Sequence, residues 1–196
     1  MSSPLSLDPR TSALLVMDFQ TTIVEGFAAD GAALLSRMAA LIECARKAEM
    51  RIIYVVVGFR PGYPEVSPRN ARFGAIRETG RFLEGSAGTE VHAAVAPRTG
   101  DVVVTKHRVN AFAGTDLEIV LRASSVVTLV LAGIATSGVV LSTVRHAADA
   151  DYRTVVVEDC CADPDPEVHR VLTEKVFVRQ ATVVKAGEVV GALTPA

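Results

Sequence analysis

Short runs of β-branched and aliphatic residues punctuate the chain: ALLVM (13–17), IIYVVV (52–57), VVVT (102–105), VVTLVLA (126–132), TVVVE (154–158) and ATVV (181–184). Each run is continuously apolar, not alternating. That is the pattern of strands buried on both faces of a parallel sheet. Helical periodicity fills the gaps. Leu34, Leu35, Met38, Leu41, Ile42 and Ala45 recur at three and four residues and build one apolar stripe. Thr115, with Glu118 behind it, predicts a capping box that opens a helix over 115–123. Val140, Val144, Ala147 and Ala148 line one face of another helix. Asp165, Pro166 and Glu167 form a helix start with proline at the first helical position, after which Val168, Val171, Leu172 and Val176 face inward. A last short helix is expected near 186–193. Strand and helix in alternation predict an α/β layer fold with helices on both faces of the sheet. The stretch 58–90 lacks clear periodicity and is rich in Gly, Pro and Arg. It is expected to be a long loop, a lid or a binding loop.

A length of 196 residues without internal repeats predicts one domain over 1–196. Hydrophobic residues make up 49% and charged residues 21%, which supports a substantial core and argues against disorder. The net charge of −2 provides no basic face, so neither nucleic acid nor a membrane surface is an expected partner. No apolar run nears the ~20 residues that span a bilayer. The start, MSSPLSLDPRTS, lacks a basic segment followed by an apolar core, so a cytoplasmic location is expected. Cys44, Cys160 and Cys161 are an odd count with one adjacent pair, a poor disulfide framework and a better fit to reduced thiols. The adjacent pair reads as small buried residues near a strand end.

In open parallel sheets, ligands bind outside the carboxyl ends of the strands. Asp18, with Gln20 beyond it, follows the first predicted strand; Gly58 and Arg60 follow the second; Lys106 follows the third; Asp159 follows the fifth. After the fourth comes LAGIATSGVVLSTV (131–144), a strand that breaks at Gly133 and re-forms as a helix. Asp18 and Lys106 facing each other across the crevice would serve acid–base chemistry, and a structural ion pair is the equal alternative. The elbow is not a serine-hydrolase motif, because the residue two before Ser137 is Ala135 and not glycine. Thr136 and Ser137 read as helix-start caps. His92, His107, His146 and His169 are scattered without metal-ligand spacing, and no phosphate-binding glycine loop occurs. Neither a metal nor a cofactor is expected. His146 and His169 read as solvent-facing, and His107 as structural. Of Arg60, Arg69, Arg72, Arg77 and Arg81, most read as solvated, with Arg60 the one expected near the crevice to hold an acidic substrate.

ALLVMDFQ, then TKHRVNAFAGTDLE, then LVLAGIATSGVVLSTVRHAADADYRTVVVEDCCAD resemble the three signature blocks of the isochorismatase-like, or cysteine, hydrolases over roughly residues 10–185. The resemblance implies a three-layer fold with a six-stranded, mostly parallel sheet, and a homodimer or homotetramer acting on a small molecule. It carries the family's catalytic Asp and Lys to Asp18 and Lys106. It implies a cis peptide at Ile134–Ala135 and a pocket drawn from Gln20, Arg60, Phe112, Ile134, Ala135 and Gly138. The position of the family's nucleophilic cysteine falls on Val139, and an isopropyl group cannot form an acyl-enzyme. The resemblance therefore implies Asp/Lys acid–base chemistry on a small anionic substrate, of which vinyl ether hydrolysis in the manner of the true isochorismatases is one form. A non-catalytic binding protein, or an amidase with another nucleophile such as Ser137 or Cys160, is the alternative. The chain departs from the true isochorismatases, which carry Tyr-Ala-His where it has Ala135, Thr136 and Ser137. It also lacks, after the second strand, the Asp-x-His that holds the metal of nicotinamidases.

Overall fold

The computed structural model describes residues 5–194; residues 1–4, which open the stretch read for a leader, and residues 195–196 lie outside the described residues. Six strands form one sheet: β1 (Ser12–Met17), β2 (Arg51–Val57), β3 (Val102–Lys106), β4 (Thr128–Ile134), β5 (Arg153–Ala162) and β6 (Thr182–Val184). Their order is β3-β2-β1-β4-β5-β6. Every pairing is parallel, so the sheet is wholly and not mostly parallel.

In the four inner strands, β2, β1, β4 and β5, the continuous apolar runs have the predicted cause, whereas the edge strand β3 is buried on one face only, with Val103 48% exposed, because no neighbour covers its outer side. In β1, Leu14 and Val16 enter one core, while Ala13, Leu15 and Met17 enter the other. The first core lies under α1 (Thr21–Phe27), α2 (Gly31–Lys47) and α7 (Ala186–Leu193). The second lies under α4 (Leu117–Ala123) and α5 (Leu141–Asp149), with α6 (Pro166–Val171) leading into it at Leu172. All six residues of the predicted α2 stripe are buried.

Four local expectations are corrected. The segment 58–90 contains a helix, α3 (Ala71–Glu78), whose first turn is capped by Asn70 accepting from the Phe73 N–H at 3.1 Å. The helix is short, and arginines and glycine interrupt its apolar face, which hides its periodicity. β4 does not break at Gly133 but runs through it. A Cβ there would lie 3.1 Å from the Met17 Cβ, the Met17 carbonyl oxygen and the Val140 Cγ2, so this glycine permits a close approach. β5 is longer than predicted and holds Asp159 within it. The Asp159 carboxylate turns away from the crevice and accepts from the Ala186 N–H at the start of α7, at 2.8 Å. The capping box does not form. Thr115 Oγ1 donates to the Ala111 carbonyl at 2.7 Å, and Glu118 pairs with Arg122 instead of reaching back.

Candidate active site

The sheet order reverses between β1 and β4, and there the two strand ends open a crevice. A cavity of about 230 Å³ lies at this point. β1 delivers Asp18, β3 delivers Lys106 as its last residue, and β4 delivers Ile134 and then Ala135. Asp18 stands in the left-handed backbone region at φ 58°, uncommon for a residue with a side chain and a feature concentrated at functional sites. Its N–H is held by the Val55 carbonyl at 2.8 Å.

Lys106 Nζ lies 2.9 Å from Asp18 Oδ2, with the two side chains only 3% and 8% exposed. Lys106 Nζ also donates to the Arg108 carbonyl at 3.2 Å. An ammonium has three N–H donors, so one remains for a ligand. The other Asp18 oxygen, Oδ1, is buried without a hydrogen-bond partner among the described residues. Burial raises the Asp18 pKa above the ordinary carboxylate range and outweighs the pull of Lys106 and, more weakly, of Arg72. A carboxyl so placed is suited to exchange a proton with a bound molecule.

The walls are apolar. Ile23, Phe27, Val57 and Val109 line them beside Ile134 and Ala135, and Phe73, Ile76 and Phe82 come from the 58–90 segment. Val139 also lines the cavity, and among the described residues no Cys, Ser, Thr or His does. Arg72 and Arg81 complete the lining, and both are exposed, which puts them at the mouth.

The elbow is a wide π-helical turn over Thr136–Val140 that leads into α5, preceded by a cis peptide at Ile134–Ala135. Thr136 and Ser137 do not cap it. Thr136 Oγ1 lies 2.8 Å from His169 Nδ1, and the Ser137 N–H donates to Asp163 Oδ2 at 2.8 Å. The acceptor that capping demands thus comes from a distant residue, and His169 ties α6 to the elbow instead of facing solvent.

Asp18, Lys106, Ile134, Ala135 and Val139 converge on one cavity, whereas the other residues expected there do not line it. Gln20 is buried and engaged: its Nε2 donates to the Val57 carbonyl at 2.9 Å and its Oε1 accepts from the Val57 N–H at 2.8 Å. It cross-braces β1 and β2. Arg60 is 65% exposed and pairs with Glu65 at 3.2 Å. Phe112 belongs to the core under α4 and α5, stacked on His146 at 4.4 Å between ring centroids. Gly138 is buried inside the turn. His107 Nδ1 meets the Gly58 carbonyl at 2.6 Å, a structural contact. Cys160 and Cys161 are buried on opposite faces of β5, and burial pushes both thiols up, Cys161 to about 12. Among the described residues, no three His, Cys, Asp or Glu side chains converge as a metal site.

Arg72 and Arg81, expected to be solvated, line the cavity in place of Arg60, and the three lining phenylalanines were not expected there. The spacing of Asn70, Phe73 and Ile76, a cap followed by an apolar pair three apart, was the available signal.

The isochorismatase domain model matches residues 12–188 of the chain. Ureidoacrylate amidohydrolase RutB of Methylobacterium radiotolerans is 31% identical over 189 residues, covering 85% of this chain and 73% of that protein. N-carbamoylsarcosine amidase from Thermoplasma acidophilum superimposes with a TM-score of 0.73 at 31% identity, covering 90% of this chain and 96% of that one. A cysteine hydrolase from Pseudomonas syringae pv. phaseolicola shares the fold, with a TM-score of 0.88 at 23% identity over 98% of both chains. Sheet order, crevice and sequence agree, and the chain belongs to the isochorismatase family of hydrolases.

Proposed function

We propose that this hydrolase cleaves the C–N bond of a small amide or carbamoyl compound, with water and not a side chain as the nucleophile. The observation that carries the reading is Asp18 Oδ1, buried beside Lys106 and, among the described residues, without a partner and in a cavity lined by no thiol or hydroxyl. The resemblance carries the nucleophile position of the family's amidases to Val139, whose isopropyl group cannot attack a carbonyl. The relatives' names, ureidoacrylate amidohydrolase and N-carbamoylsarcosine amidase, support amide-type bonds as the target.

In this reading Asp18 Oδ1 takes a proton from water as the water oxygen attacks the carbonyl carbon. The free N–H of Lys106 steadies the negative charge that develops on the carbonyl oxygen. The C–N bond then breaks with its electron pair on nitrogen, which receives the proton from Asp18. An acid and ammonia, or an amine, are the products. A second reading, binding without turnover, is favoured by the apolar wall that Val139 presents.

The test is ammonia release from ureidoacrylate and N-carbamoylsarcosine, with isochorismate run alongside for pyruvate. Turnover of an amide is expected, falling about 100-fold or more in Asp18→Asn when both proteins are assayed well below the variant's melting temperature. Turnover that survives this substitution overturns the role of Asp18. Binding without ammonia favours the second reading. Pyruvate from isochorismate with no ammonia from amides reassigns Asp18 as the acid of a vinyl ether hydrolysis.

A further inference from the structure

The cavity holds more positive than negative charge. Asp18 and Lys106 offset each other at 2.9 Å. Arg72 and Arg81 line the same cavity, and no ion pair among the described residues includes either. A low-dielectric cleft with surplus positive charge attracts and concentrates anions.

The charges are also layered. The Asp18–Lys106 pair is buried at the floor, whereas both arginines are exposed at the mouth. Apolar side chains line the same cavity, among them Phe27, Phe73 and Phe82. Each arginine directly precedes a buried phenylalanine of the wall, Phe73 at 4% and Phe82 at 8% exposure. Those rings anchor the backbone beneath the guanidinium groups. The Arg81 guanidinium stands 5.0 Å from the Phe82 ring centroid, a cation–π contact that limits its freedom before any ligand arrives. Arg72 lies close enough to Asp18 to draw its carboxyl downward, so the two ends of the cavity are within electrostatic reach.

We infer that Arg72 and Arg81 form a carboxylate clamp at the mouth, which selects substrates whose carboxylate is joined through an apolar body to the bond at Asp18. A guanidinium fork matches a carboxylate in two parallel hydrogen bonds, and the phenylalanines match the apolar body. This deepens the hydrolase reading and rests on the same pocket, but the clamp acts in binding and is tested without turnover.

The probes are 3-phenylpropanoate and its neutral counterpart 3-phenylpropan-1-ol, with affinity measured by calorimetry at low and at physiological salt. The acid is expected to bind at least about tenfold more tightly than the alcohol, with a preference that salt weakens. Arg72→Gln and Arg81→Gln should each weaken acid binding about tenfold. The double variant should lose the preference while binding the alcohol as wild type does. Equal affinity for acid and alcohol in the wild type, no detectable acid binding, or a preference that persists in the double variant would each overturn the clamp. A protein that turns over no amide yet shows the preference would refute the hydrolysis and leave the clamp standing.

Discussion

Asp18 and Lys106 are each costly to bury, and each is tolerated because the other is 2.9 Å away. Lys106→Met removes one charge and leaves the other uncompensated. The Asp18 carboxyl, already raised by burial, then rises further. A carboxyl whose folded-state pKa exceeds its unfolded value contributes stability below the unfolded value, and that contribution disappears as pH climbs through the folded one. Lys106→Met is therefore expected to cost about 3–5 kcal/mol near neutral pH, and to recover in mild acid where Asp18 takes up a proton. Urea unfolding of both proteins across that range reads the difference, and a pH-independent loss would contradict it. The same raised pKa sets the rate profile. A water-activating Asp18 must be ionised, so kcat/KM is expected to rise with pH through a value above the ordinary carboxylate range. A fall over that interval would mean that the protonated form is the active one. The convergence of Asp18 and Lys106 was legible as two strand-end residues, because strand ends are easy to locate and a parallel sheet gathers them at one edge. Whether burial or the lysine prevails on Asp18 was not legible, since that depends on everything packed around it.

At the scale of elements, the join of β4 to the elbow depends on close approach. Gly133 lies where any Cβ would press on Met17 of β1 and Val140 of the turn at 3.1 Å. Gly133→Ala is expected to destabilise the fold by about 1–3 kcal/mol, read as a lower urea midpoint. Because Ala135 follows two residues later and lines the cavity, ligand affinity should fall with it. An alanine variant as stable as wild type would show that β1 and the turn yield easily. The sequence marked this glycine as the end of a strand, since a glycine in an apolar run reads as punctuation. Its use as a spacer is invisible without knowing that β1 lies alongside. α3 shows the complementary failure. Its arginines made 58–90 resemble a solvated loop, yet Phe73 and Phe82 fold inward and bring Arg72 and Arg81 to the cavity. Only two apolar residues of α3 reach the wall, too few to stand out as a helical period.

For the molecule as a whole, β5 spans both cores and carries a thiol into each, Cys160 on one face and Cys161 on the other. Neither lines the cavity, and burial keeps both protonated. Both are therefore expected to resist iodoacetamide until the protein unfolds globally, while the half-buried Cys44 reacts sooner. Mass-spectrometric labelling against urea concentration tests this, and native labelling of Cys160 or Cys161 at the rate of Cys44 would contradict it. The alternation of strands and helices, the two-sided burial of the four inner strands and the burial of Cys160 and Cys161 were determined by the sequence itself. They follow from local runs and periods that any stretch displays on its own. The tertiary structure alone decided which polar residues meet: it engaged Gln20 in bracing strands, sent Arg60 to Glu65, moved Phe112 to the opposite core and chose Arg72 and Arg81 for the mouth. The reason is geometric. A cavity gathers side chains from segments far apart in the chain, and no local pattern records which way a solvent-side residue turns once those segments pack.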